Sequence, residues 1–362
     1  MLFYLFILYL LIFRINSDDC ILNNFPELKF PKSITLENGY VVMISLDGIY
    51  SFYPNLMKIA FSYDFTDEQK VSASLDDGYI YINQAQVSQF IDDEGGKNYV
   101  ICMIKNILYV LSEYGEFLFF QDLSDRINVE NTLALIPYKY DNFNYYFIVG
   151  YNNQLTSRLF LFYYNIIFTT EKSGSINFLS NLEYIFDKDG TELEISYRGL
   201  SCQVIILNSQ KRLLCFEGIG NYVYLIGFIF DPDNGFNLVS YSDVYRDEAN
   251  KNILYITSSI NTDKTIIFVW FTTEYPMARG VLFDLETKQF NQIFYLLECN
   301  INAYGINSYF FKETKEFVFS CINNDNTLSM FVVNETIQLN VEKSFGDKSF
   351  PDCNNYKSFS IE

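Results

Sequence analysis

Along this chain, short apolar runs alternate with turns rich in Asn, Asp, Gly and Lys, and the alternation itself repeats. Its clearest instance is Lys315–Glu342, KEFVFSCINNDNTLSMFVVNETIQLNVE. Three strands are predicted there, Phe317–Cys321, Ser329–Val333 and Ile337–Val341, with a turn at Asn323–Asn326 after the first. Aligned on the second strand of each unit, six starts emerge: Asn38 (NGYVVMIS), Lys97 (KNYVICMI), Asn144 (NYYFIVGY), Lys211 (KRLLCFEG), Lys264 (KTIIFVWF) and Lys315 (KEFVFSCI). Successive separations are 59, 47, 67, 53 and 51 residues. Each time a polar pair, or an Asn or Lys, leads into four or five apolar residues.

The third strands expected after them are Gly48–Tyr53, Ile107–Ser112, Arg158–Tyr164, Tyr222–Phe230, Arg279–Leu285 and Leu328–Val333. Fourth strands follow at Lys58–Phe65, Glu116–Leu123, Ile176–Phe186 (after a loop at Glu171–Ser175), Phe236–Tyr241, Phe290–Leu297 and Ile337–Val341. First strands precede at Ser33–Leu36, within Val71–Ile82, and at Thr132–Pro137, Cys202–Leu207, Leu254–Ser259 and Asn307–Phe311. Asp47-Gly48, Asp77-Gly78, Asp189-Gly190 and Asn234-Gly235 supply residues that tolerate tight hairpin turns. Four antiparallel strands per unit of roughly 50 residues, six times over, predict an all-β chain folded as a β-propeller of six visible blades. The competing architecture is a pair of β-sandwiches. No linker or low-complexity tract divides residues 18–362, which are read as one domain.

Composition agrees: of 362 residues 49% are hydrophobic, with 30 Tyr and 36 Phe against 7 Pro, a vocabulary of half-buried pleated surfaces. The opening MLFYLFILYLLIFRINSDDC holds twelve apolar residues, Leu2–Phe13, too few to span a bilayer. Residues 1–17 are therefore read as a secretory signal peptide cleaved near Ser17. That places the mature chain outside the cell, either secreted or on the outer face of the plasma membrane. A net charge of −19 disfavours nucleic acid or an anionic lipid surface as partner. The chain has no histidine. Its absence removes Ser-His-Asp and Cys-His catalysis, His-ligated zinc and the usual neutral-pH base.

Seven cysteines in a secreted chain suggest disulfides and one odd thiol. Cys202 and Cys215 fall on the first and second strands of the fourth unit, flanking a turn at Asn208–Lys211. With Leu207 opposite Arg212, Cys215 sits near Val204, within reach of Cys202. Cys299 follows a fourth strand and Cys321 ends the next second strand. Two staples are expected, Cys202–Cys215 and Cys299–Cys321, each stabilising by roughly 2–4 kcal/mol. The alternative is that Cys102, Cys215 and Cys321 are small apolar residues of buried strands. Cys20 precedes the first unit by 18 residues, much as Cys299 precedes the sixth by 16. Cys353 follows the sixth, so PDCNNYKSFSIE is expected to open a seventh unit that is cut short.

Few residues suggest chemistry. Asp231-Pro-Asp-Asn-Gly235 lacks the glycine spacing and closing glutamate of a calcium loop and reads as a hairpin turn, as does Asp187–Gly190. Trp270 sits in an apolar run and reads as core. Asn334-Glu-Thr is the sole N-glycosylation sequon. A propeller-fold, glycan-active hydrolase would need paired carboxylates, and a sialidase clustered arginines. Arg126, Arg158, Arg212 and Arg279 share no register. No cofactor or metal ligand set is indicated. Binding is expected on a loop face that includes Asp92–Gly96 or Glu171–Ser175.

The Asn-, Ile-, Tyr-, Phe- and Lys-rich wording, with ENGYVVMISLDGIYSF, KNYVICMIKNILYVLSEYGEFLFFQDL and KETKEFVFSCINNDN, resembles the ectodomains of Plasmodium-type EGF-like membrane proteins across the mature chain. The resemblance implies a parasite surface or secreted protein with an adhesive role and an unidentified protein or glycan ligand. This sequence departs from that pattern in having no six-cysteine EGF module or C-terminal membrane helix before Glu362; both would have to lie beyond it, as would any membrane anchor.

Overall fold

The computed structural model describes residues between Lys32 and Phe345, apart from 67–84 and shorter stretches in other connections. The signal segment, Cys20 and Cys353 lie outside the described residues. Six sheets follow one another along the chain. The first contains β1 (Lys32–Thr35), β2 (Val41–Ile44), β3 (Gly48–Phe52) and β4 (Ile59–Asp64). The second contains β5 (Gln86–Phe90), β6 (Tyr99–Ile104), β7 (Ile107–Ser112) and β8 (Phe117–Asp122). The third has the longest strands, β9 (Thr132–Asp141), β10 (Asn144–Asn153), β11 (Arg158–Thr170) and β12 (Ser173–Tyr184). A two-residue hairpin, β13 (Asp187–Lys188) with β14 (Thr191–Glu192), leads to the fourth sheet. That sheet contains β15 (Ile195–Leu207), β16 (Gln210–Ile219), β17 (Val223–Asp231) and β18 (Asn237–Tyr241), and β19 (Tyr245–Asp247) pairs with β17. The fifth has β20 (Ile253–Ile260), β21 (Ile266–Thr273), β22 (Ala278–Asp284) and β23 (Gln289–Leu296). The sixth has β24 (Asn307–Phe311), β25 (Glu316–Ile322), β26 (Leu328–Asn334) and β27 (Leu339–Phe345).

Within each sheet the strands run in sequence order and pair antiparallel. The first strands of successive sheets adjoin one another, β1 with β5, β5 with β9, β9 with β15, β15 with β20 and β20 with β24. This is the inner layer of a β-propeller, and it excludes the paired-sandwich alternative.

Alternation explains the packing. On β6, Val100 and Cys102 face the first sheet with its Val42, Ile44 and Ile49, while Ile101 and Met103 face the third with Phe147, Val149 and Tyr164. A middle strand buried on both faces therefore reads as an unbroken apolar run, and every residue of β6 is buried. The same division recurs on β16. There Leu213 and Cys215 point toward the third sheet, and Leu214 and Phe216 toward the fifth. Trp270, fully buried, stacks on Phe319 of the sixth sheet at 4.6 Å.

Three details correct the reading from sequence. The second sheet's first strand is Gln86–Phe90, C-terminal to the expected Val71–Ile82, which, with the rest of 67–84, lies outside the described residues. QVSQF looks polar because each face of an inner strand needs only one anchor, Val87 toward the first sheet and Phe90 toward the third. The expected loop Glu171–Ser175 is instead a turn of two residues, Glu171 and Lys172. The hydroxyls of Thr169 and Thr170 reach that of Ser173 at 2.9 and 2.6 Å and close it. In the fourth sheet the turn is Asn208-Ser209, both with positive φ (51° and 62°), so Leu207 pairs with Gln210, not Arg212. That shift sets Cys202 directly opposite Cys215.

Candidate functional site

Turns joining first to second and third to fourth strands emerge at one end of every antiparallel sheet. On this hairpin face, side chains from neighbouring sheets meet at three seams. The seam between the first two sheets is aromatic. Gly39, at φ 82°, and the Leu36 N–H bond to the Tyr40 carbonyl (2.7 Å) close the turn that projects Tyr40. Asn38 accepts from the Tyr40 N–H at 3.1 Å and donates to the Glu113 carbonyl at 2.6 Å. Ser51 Oγ donates to the Tyr114 carbonyl at 2.5 Å. Gly115, at φ 83°, closes the turn of the second sheet against the first; a Cβ there would lie 2.6 Å from Ser51 Cβ and 2.8 Å from a Val42 methyl. So fixed, Tyr40 stands beside Tyr53 and Tyr114, with ring centroids 5.6 and 5.4 Å away. Tyr53 and Tyr114 are 38% and 45% exposed. The negative charge of Glu113 raises the Tyr114 hydroxyl pKa.

At the second seam the β11–β12 hairpin leans on the second sheet. Phe168 stacks on Tyr99 at 4.3 Å, and the Gln121 side chain exchanges hydrogen bonds of 2.8 and 3.0 Å with the backbone of Ile176. Lys172 bonds Glu116 at 2.6 Å and Lys97 bonds Glu171 at 3.3 Å. Both pairs are exposed to solvent, which screens them. Residues 92–96, singled out in the sequence, lie outside the described residues.

The third seam takes up the acidic turn at Asp231. Pro232–Asn234 form a 3-10 turn closed by Gly235 at φ 69°. Asp231 accepts from Asn234 at 2.6 Å and pairs with Arg212 at 3.2 Å, both partners largely buried. Asp233 takes Lys139 at 2.5 Å and the Tyr163 hydroxyl at 3.0 Å. Burial first, then Asp233, pushes the Tyr138 and Tyr163 hydroxyls up, so both stay neutral donors. The turn anchors one sheet to the next, and its carboxylates are committed to protein cations.

Deeper in this seam lies Glu217, which the sequence analysis missed. It is 1% exposed, its carboxyl oxygens have no hydrogen-bond partner among the described residues, and burial pushes its pKa up to about 8. The run LLCFEG shows it only as one acid inside an apolar strand.

The inner strands present hydroxyl and amide groups to one another. Ser201 and Ser258 meet at 2.8 Å, Gln203 donates to the Ser258 carbonyl at 2.8 Å, and Thr257 meets Ser308 at 3.0 Å. Across the six first strands the only acidic residue is Asp141, at the end of β9. Among the described residues no group of three or more His, Cys, Asp or Glu could hold a metal ion.

Cys202 and Cys215 form a disulfide between β15 and β16. Cys102 is a buried free thiol. Cys299 lies outside the described residues and Cys321 is on β25, so their expected pairing falls outside the description. Asn334 is not in a turn but is the last residue of β26, opposite Glu316.

No family model and no curated protein matches the chain. Solved structures do. A triple mutant of AofleA from Arthrobotrys oligospora aligns with TM-score 0.52 at 8% identity, over 89% of this chain and 88% of that one. BBS1N, solved in complex with ARL6DN, aligns at 0.50 and 9%, over 87% and 81%. The Dos1 propeller aligns at 0.41 and 11%, over 70% of this chain and 56% of its own, so this chain spans little more than half of that structure. At such identities the likeness is one of fold alone, and the β-propeller rests on the arrangement of the six sheets described above.

Proposed function

We propose that this chain is a secreted or cell-surface β-propeller serving as an interaction module, of the parasite-surface kind its sequence resembles, for a protein or glycan ligand. The observation that carries the reading is the cluster of half-buried Tyr40 with exposed Tyr53 and Tyr114, at turns joined by hydrogen bonds between two sheets. Rigid, amphipathic tyrosines give large contact area at little cost in side-chain entropy. The apolar opening segment and the Cys202–Cys215 disulfide fit an oxidising, extracellular setting. BBS1N, a neighbour in fold, was crystallised in complex with ARL6DN. The dearth of carboxylates on the inner strands favours binding over carboxylate-based hydrolysis at the centre.

The test is a panel of immobilised glycans and candidate surface proteins probed with the purified chain and with its Tyr40→Ala/Tyr114→Ala variant. Capture of a defined ligand by the parent, lost in the variant, is the expected result. A panel that the folded parent never binds sinks the reading.

A further inference from the structure

The tyrosine cluster has a charged component that sets what it can hold. Tyr114 is followed by Gly115 in a turn whose other members, Glu113 and Glu116, are both acidic. The seam to the third sheet neutralises Glu116 through Lys172 and Glu171 through Lys97. Glu113 forms no ion pair among the described residues; its charge acts on the Tyr114 hydroxyl beside it and on Lys97, whose ion pair is with Glu171. A carboxylate without an ion pair of its own among the described residues thus stands beside Tyr114 in the tyrosine cluster, on a chain of net charge −19.

Ring faces attract cations through their quadrupoles, and a neighbouring carboxylate adds a direct charge. An anionic ligand would meet repulsion from Glu113 and from the protein as a whole. Preorganisation is also present. Asn38, Ser51 and the tight fit of Gly115 against Val42 fix the Tyr114 turn before any ligand arrives. Building on the interaction-module reading, we infer that Tyr40, Tyr53, Tyr114 and Glu113 form a receptor for a cationic side chain, arginine or lysine, presented by a basic segment of a protein partner.

The probe is a capped tetra-arginine peptide titrated into the full chain at low and at physiological salt, with capped tetra-glutamate as control. The parent binds tetra-arginine and not tetra-glutamate. Loss of two rings in Tyr40→Ala/Tyr114→Ala weakens binding by about tenfold, whereas Tyr114→Phe, which keeps the ring, stays within about twofold. Glu113→Gln, which leaves rings and packing alone, weakens binding severalfold and reduces its salt dependence. Thermal unfolding of each variant separates lost binding from lost structure. Unchanged affinity in both the double variant and Glu113→Gln overturns the inference, because the peptide is then held only by the general negative charge. If the ligand panel instead yields a neutral or acidic ligand that needs Tyr40 and Tyr114, the cationic assignment falls and the interaction module stands.

Discussion

Gly174 on the third sheet lies against the ring of Phe119 on the second: a Cβ there would sit 2.9 Å from the ring and 2.7 Å from the Ile167 carbonyl oxygen. One neighbour is backbone, so the contact cannot be relieved by a rotamer change alone. The same hairpin carries Phe168 on Tyr99 and Ile176 on Gln121, so lifting it strains the seam along its length. Gly174→Ala is expected to destabilise the chain by about 1–3 kcal/mol, as overpacking does. Chemical denaturation would check it. Parent-like stability would mean the hairpin is not clasped to the second sheet.

Much of the architecture is legible in the sequence, for a definite reason. Middle-strand runs such as Tyr99–Ile104 and Ile267–Phe271 are buried on both faces, and nothing but a long apolar run can occupy them. The inner strand Gln86–Phe90 was not legible. Each of its faces is anchored by a single apolar residue, and the rest of its pattern resembles a loop. Side-chain meetings across seams were also out of reach. Tyr40 and Tyr114 are 74 residues apart, and nothing in either turn announces the other. The turn Asp231–Gly235 could be recognised as a turn, but not that Arg212 and Lys139 would claim its two acids.

Those two claims differ in weight. The Lys139–Asp233 pair is part-exposed, while Arg212 and Asp231 keep only 13% and 8% of their side-chain surface. Removing one member of a buried pair strands the other charge, at a cost of about 3–5 kcal/mol. Arg212→Met is therefore expected to destabilise strongly. The double variant Arg212→Met/Asp231→Asn, with no stranded charge, should recover much of the loss. A double-mutant cycle in denaturant supplies the coupling energy, and a double variant as unstable as the sum of the singles would refute a buried pair.

Reduction should weaken the fourth sheet without abolishing the fold. The Cys202–Cys215 disulfide closes a loop of 13 residues between directly opposed positions. Loop-closure entropy for such a span is about 3 kcal/mol. Cys202→Ser/Cys215→Ser should lower the unfolding midpoint accordingly and become indifferent to reducing agent. If reductant shifts parent and variant equally, the stabilisation comes from another bridge.

Glu217 makes stability depend on pH in a direction opposite to that of a salt-bridged acid. Its side chain points into the seam with Leu200 and Ile226 as strand partners, and among the described residues no positive group compensates it. Burial lifts its pKa from 4.5 to about 8, so between those values the folded chain holds a proton that the unfolded chain has lost. Stability from this residue is complete below about pH 4.5. It then falls by about 1.4 kcal/mol per pH unit until the folded carboxyl ionises, and levels off above about pH 8. Glu217→Gln mimics the protonated acid. The variant should match the parent near pH 5 and exceed it by an increasing margin toward pH 8. Subtracting the two unfolding curves removes every other titrating group. A variant less stable than the parent at pH 8 would show instead that Glu217 is ionised and paired in the folded chain.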